Sequence, residues 1–184
     1  MRVHALQSVL LVIDLQGRLL PAIEGGAAVL ANAIWMVDVA RALGVPVLAT
    51  EQYPQGLGLT DADLRARLRD DAIIGKTHFS AVSEGALLAS AHAVRKQWVV
   101  VGTEAHVCVL QTVLDLLAAG REVFVVDDAV GSRRARDRDR ALQRMGGPVG
   151  RAQVAEVLVG QVGGPVQPGL GHQRPHGGVG VLAA

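Results

Sequence analysis

The sequence predicts an α/β protein, a three-layer doubly wound sheet of five to six mainly parallel strands in a Rossmann-like arrangement. Three observations carry this. Short runs of β-branched and aliphatic residues recur along the 184-residue chain, each too short for a helix and too continuous for a half-exposed strand. Stretches with helical apolar spacing lie between them, so strands and helices alternate, the pattern of a parallel sheet covered on both faces. Asp14, Lys76 and Cys108 stand at or just beyond three of the apolar runs, where open α/β sheets bind ligands.

Residues 8–13, SVLLVI, form the first predicted strand, and Asp14 leaves its end. Gln16, Arg18 and Pro21 belong to the connection that follows. Residues 27–43 read as a helix that Gly44 stops. The second strand is 45–49, with Pro46 near its start. Residues 50–60, TEQYPQGLGLT, read as a loop over the crevice, with Glu51, Gln52 and Tyr53 placed to meet a ligand or simply solvated. A short charged helix is expected at 61–69. The third strand is 71–75, followed at once by Lys76, His78 and Phe79 in GKTHFS. Lysine there can lower a thiol pKa or position a carboxylate. His78 is a possible ligand or hydrogen-bond donor, and Phe79 a pocket wall.

Residues 84–96 read as one helix. The central strand is 98–101; Gly102 breaks it, and from His106 the apolar period becomes helical through Leu117. Cys108 lies where strand gives way to helix. A cysteine among valines also suits a small buried hydrophobe, but a helix start favours a thiolate and an adjacent oxyanion. Gly120 ends this helix, and 122–126 is the fifth strand. Ser132 is expected to cap a basic helix at 133–144, whose alternating Arg and Asp read as a solvated, ion-paired face. At Gly146 the composition changes: half of the 22 glycines and more than half of the 7 prolines fall in 146–184. A final strand or short helix is expected at 154–159, and little regular structure from Gly160.

Composition limits the function classes. The chain is 50% apolar and 19% charged with a net charge of +1, which suits one globular core and gives no footing for nucleic acid or an anionic membrane as partner. Five aromatic residues leave little for base stacking. A single cysteine makes no internal disulfide and fits a cytoplasmic setting. The N-terminal segment reads as neither signal peptide nor membrane span. No G-x-G-x-x-G follows a strand, which speaks against a dinucleotide site. Asp14, Lys76 and Cys108 together make a nucleophile site: a carboxylate to take the thiol proton, an ammonium to fix both, and a sulfur to attack an electrophilic carbon.

The segments VIDLQ, GKTHFS and GTEAHVCVLQT resemble the three signatures of the isochorismatase-like cysteine hydrolases, over about 8–145. The TEQYP and GLG of the 50–60 loop resemble the isochorismatase-domain-containing hydrolases of unsettled substrate. The resemblance implies a six-stranded parallel sheet and a triad with Asp14 as base, Lys76 as electrostatic partner and Cys108 as nucleophile. It implies a cis peptide between Thr103 and Glu104, and an oxyanion hole from the N–H groups of Cys108 and Glu104. Gln16, Gln52, Phe79 and His106 become candidate substrate contacts, and a homo-oligomer becomes the expected assembly.

Two departures qualify the resemblance. The histidine-rich metal site of the family's nicotinamidases is missing from TEQYPQGLG, so no metal, no cofactor and a substrate other than nicotinamide are expected. True isochorismatases cleave a vinyl ether without a cysteine nucleophile, so Cys108 favours a small amide, imide or related acyl substrate. The chain is thus divided into a hydrolase domain at 1–145 and an atypical segment at 146–184 in place of the family's final strand and helix, a break that a reading-frame shift near Met145 would produce. The expected function is a metal-independent cysteine hydrolase; the alternative is a catalytically silent family member serving as an oligomeric scaffold.

Overall fold

The computed structural model describes residues 2–148 and 150–155. The first strand, β1 (Ser8–Ile13), is buried along its whole length, and its neighbouring side chains go to opposite faces. Val9, Leu11 and Ile13 join one apolar cluster, and Leu10 and Val12 the other. Both faces are therefore covered, which explains the unbroken apolar run.

Helix α1 (Gly26–Ala42) lies on the second face through Val29, Ala33, Met36, Val37 and Ala40. Gly44, at φ 66°, turns the chain out of it. Strand β2 (Val47–Gln52) is longer than expected, because Thr50, Glu51 and Gln52 continue the ladder instead of opening the loop. A single turn, α2 (Pro54–Leu57), crosses the loop, and α3 (Ala62–Arg65) starts at Asp61, whose side chain accepts the Asp63 N–H. A 3-10 turn at Asp70–Ala72 precedes β3 (Ile73–Lys76), so Lys76 is the last residue of the strand rather than the first beyond it.

The single helix expected at 84–96 is instead a short α4 (Ala86–Ala89) and a 3-10 turn (Ala91–Val94), with Ser90 extended between them. Leu87 and Ala93 both reach the core. On one continuous helix they would point about 120° apart, and the break lets both face the core.

Strand β4 (Gln97–Thr103) is fully buried and is followed by a widened π-helical turn (Ala105–Val109) and α5 (Leu110–Ala118). Strand β5 (Glu122–Gly131) runs five residues past the expected 126. Helix α6 (Ala135–Gly146) is not capped by Ser132, whose hydroxyl is committed elsewhere; the Glu24 carboxylate accepts the Ala135 N–H instead. Strand β6 (Gln153–Ala155) pairs in parallel with β5, Val125 opposite Val154. The strand expected at 154–159 thus has its start here; the remainder of 146–184 lies outside the described residues.

The sheet order is β3-β2-β1-β4-β5-β6, all parallel. The chain winds outward from β1 through β2 to β3, then returns to β1's other side as β4. The carboxyl ends of β1 and β4 therefore flank a topological switch point, where a crevice opens. Their closeness depends on Gly102, at φ 132°: a Cβ there would lie 2.0 Å from the Ile13 carbonyl oxygen. Among the described residues, no helix is long and apolar enough to cross a membrane.

Candidate active site

Asp14 follows β1 in a left-handed turn at φ 51°, which aspartate tolerates better than most residues. Two threonines hold it. The Thr103 hydroxyl donates to the Asp14 carbonyl at 2.7 Å, and the Thr50 hydroxyl donates to Oδ1 at 2.7 Å. Lys76 Nζ lies 2.7 Å from Oδ2, with both side chains wholly buried. Oδ2 takes no other contact from a nitrogen or oxygen donor.

Lys76 is itself fixed from several sides. Its ammonium donates to Gln52 Oε1 at 2.6 Å, to the Phe79 carbonyl at 3.1 Å and to the His78 carbonyl at 3.3 Å. Gln52 in turn donates to the Thr77 carbonyl. The turn carrying those carbonyls is tied to Glu84, which accepts the His78 and Thr77 N–H groups; these bonds hold the Glu84 carboxyl down at about 2. A buried ammonium is costly unless its protons are paired, and here they are.

Cys108 sits in the π-helical turn beside this pair. Burial above all, with the negative charge and acceptor oxygen of Asp14, pushes its thiol up to about 12 against the pull of Lys76. The thiolate expected from the helix start is therefore not the resting state: removal from water and the facing carboxylate outweigh the local backbone field. The turn has a second consequence. The Glu104 carbonyl accepts from the Val107 and Val109 N–H groups, at 3.1 Å each, and passes over that of Cys108 between them.

The expected cis bond between Thr103 and Glu104 is corrected: it is trans, as is every other peptide bond among the described residues. For a non-proline residue trans is lower by about 3–4 kcal/mol, and the chain makes its turn through Gly102 and the widened helical start.

A cavity of about 270 Å³ opens over Cys108, lined by Leu19, Gln52, Leu57, Phe79, Glu104, His106, Val107 and Arg133 as well. Of the predicted contacts, Gln52, Phe79 and His106 line it. Gln16 does not. It is fully buried, accepts the Gln52 N–H and donates to the Gln52 and Gly58 carbonyls, so it clamps the covering loop to the end of β2. Glu51 does similar work from the strand, its Oε1 accepting from Thr60 and Arg65. Tyr53 and His78 point outward, His78 paired with Glu84.

Arg133 and Thr50 escaped the sequence reading, and Ser132 was expected only as a helix cap. Arg133 Nε lies 2.7 Å from Glu104 Oε1, and its backbone N–H donates to Oε2. Ser132 Oγ is 3.0 Å from His106 Nδ1. The sequence signal for both was drowned by the basic helix they precede. Thr50 ends an apolar run without any local mark of its partner.

A family model described as Isochorismatase domain matches residues 8–158. Isochorismatase domain-containing protein 1 of Salmo salar is 44% identical over 137 residues, 72% of this chain and 47% of that protein. The chain thus spans about half the length of the curated relatives it matches first. Among solved structures, the MAR1 ribonuclease of Caenorhabditis elegans is 37% identical at a TM-score of 0.76, over 85% of this chain and 80% of that one. The YcaC gene product of Escherichia coli, described as an octameric hydrolase of unknown specificity, is 25% identical at a TM-score of 0.79, over 85% and 78%.

Proposed function

This chain belongs to the isochorismatase domain family, and from that membership and the site's geometry we propose that it is a metal-independent cysteine hydrolase that cleaves a small amide- or imide-type C–N bond. The observation that carries the proposal is the wholly buried contact of Asp14 Oδ2 with Lys76 Nζ at 2.7 Å beside a thiol held neutral. Carboxylate, ammonium and neutral thiol sum to zero charge. Moving the thiol proton to Asp14 leaves that sum unchanged, so the transfer needs no ion from outside.

The reaction follows from that proton. Cys108 Sγ attacks the substrate carbonyl carbon while Asp14 Oδ2 takes the thiol proton. The carbonyl oxygen becomes an oxyanion, for which the Cys108 N–H is the donor passed over by Glu104. The C–N bond then breaks, and Asp14 returns the proton to the leaving nitrogen. Water attacks the thioester as Asp14 takes one of its protons, the C–S bond breaks, and the proton goes back to sulfur. Lys76 orients the carboxylate and offsets its charge throughout. The ammonium stands where a cation beside Asp14 would stand, and among the described residues no three His, Cys, Asp or Glu side chains group to hold a metal.

The cavity of about 270 Å³ lies just below the usual range of ligand pockets, about 300–1,000 Å³, which supports a small substrate over a polynucleotide. Assembly as a homo-oligomer belongs to the same proposal and is supported by the octameric E. coli neighbour.

The test is acid quenching during incubation with a panel of small amides and imides, followed by intact-mass analysis. The expected result is release of ammonia or amine with an acyl group on Cys108. Turnover with no adduct would refute the covalent route. Neither turnover nor adduct would move the reading to a silent scaffold, which a resting thiol also suits.

A further inference from the structure

We propose that Glu104 sets the substrate class of this cavity: by neutralising Arg133 at the wall, it makes the site one for an uncharged amide in place of an anion or a cation. This rests on the reading of the cavity as the hydrolase site. The charged groups at the site, among the described residues, come in two pairs. Deep in the crevice, Asp14 and Lys76 cancel at 2.7 Å. At the wall, Glu104 meets Arg133 through Nε at 2.7 Å and through the Arg133 N–H at 3.2 Å.

The second pair also ties the turn after β4 to the segment before α6, since Glu104 accepts the Arg133 N–H. The Arg133 side chain is 63% exposed, whereas that of Glu104 is 9% exposed. An isolated Arg133 in this position would draw a carboxylate into the cavity, because a guanidinium is a strong fork-shaped partner for one. Glu104 occupies the Nε edge of that fork. Its Oε2 also lies 3.6 Å from His106 Nδ1, and the Ser132 hydroxyl fixes the same nitrogen. An anionic substrate would meet Glu104 and Asp14, and a cationic one Arg133 and Lys76. A neutral amide meets neither penalty and still finds apolar walls in Leu19, Leu57 and Val107.

Charge-selective thiol reagents read this without a known substrate. Cys108 is treated at pH 9 with the methyl (neutral), sulfonatoethyl (anionic) and trimethylammonioethyl (cationic) methanethiosulfonates, each rate scaled to free cysteine. In the unaltered protein the scaled anionic and cationic rates should agree within about threefold, with the neutral reagent fastest. Glu104→Gln should raise the anionic-to-cationic ratio at least about tenfold, and Arg133→Gln should lower it by a similar factor. A tenfold preference for the anionic reagent in the unaltered protein, or ratios unmoved by both variants, would overturn the proposal. The exposed Arg133 gives a variant that folds even if Glu104→Gln does not. Failure of all three reagents at Cys108 would count against the nucleophile, not the charge balance. Saturation-transfer NMR with butyramide, butyrate and butylammonium would then decide: binding of butyramide alone upholds the charge balance, and binding of butyrate refutes it.

Discussion

Cys108→Ala should lower kcat/KM by about 10⁴–10⁶-fold, to background, because removing a nucleophile costs nearly as much as removing the whole catalytic group around it. Folding should survive. Cys108 is buried in the cluster that includes Val109, Val113 and Val100, and exchanging its sulfur for a hydrogen costs about 1 kcal/mol. Turnover of whichever amide proves to be a substrate, measured beside a thermal melt, separates the two effects. A variant that melts normally and still turns over would remove Cys108 from the mechanism. No single-residue change elsewhere in the pocket should approach this loss without also disturbing Asp14 or Lys76.

The largest effect on stability should come from Gly102→Ala, one added methyl group. The new Cβ would lie 2.0 Å from the Ile13 carbonyl oxygen and 2.7 Å from both its carbon and its nitrogen. These are backbone atoms of the central strand, and no side-chain rotation relieves them. The φ of 132° is itself a conformation that only glycine adopts readily. A loss of at least about 4 kcal/mol is expected, a fall in Tm of roughly 8–16 °C for a chain of this size. Activity should fall with it, since Ile13 precedes Asp14 and a shift of β1 against β4 moves the proposed base away from the proposed nucleophile. Denaturant midpoints test this. An unchanged midpoint would contradict the β1–β4 approach on which the crevice depends.

The particular residues show what was legible in the sequence. Asp14 and Lys76 stood out because each follows an apolar run, and Cys108 as the single cysteine where strand gives way to helix, all local signals. The five strongest strands were legible for the same reason, but apart from β1 their lengths were not. Glu51 and Gln52 remain in β2 because Thr60, Arg65, Gln16 and Lys76 satisfy them once the chain has folded, and no local pattern announces distant partners. The Glu104–Arg133 pair was hidden likewise, by sequence separation and by the charged helix next to Arg133. The charge state of Cys108 was misjudged where the local view was most persuasive. The helix start argued for a thiolate; burial and a carboxylate from the other end of the domain decide for the thiol. The break at Ser90 reflects the need to bury Leu87 and Ala93 together, which helix propensity does not record.

The most direct test of the proposed triad is the pH dependence of Cys108 alkylation by iodoacetamide, in the unaltered protein and in Asp14→Asn and Lys76→Met. An unperturbed thiol titrates near about 8.5. Here the rate should still be climbing at about pH 11, as a thiol pushed up to about 12 requires. Asp14→Asn removes a charge and an acceptor that raise the thiol, so its profile should move to lower pH. Lys76→Met removes the group that pulls the thiol down, so its profile should move to higher pH. A profile centred near 8.5 that neither substitution moves would mean that carboxylate, ammonium and thiol do not act on one another, and the proposed mechanism would fall with them.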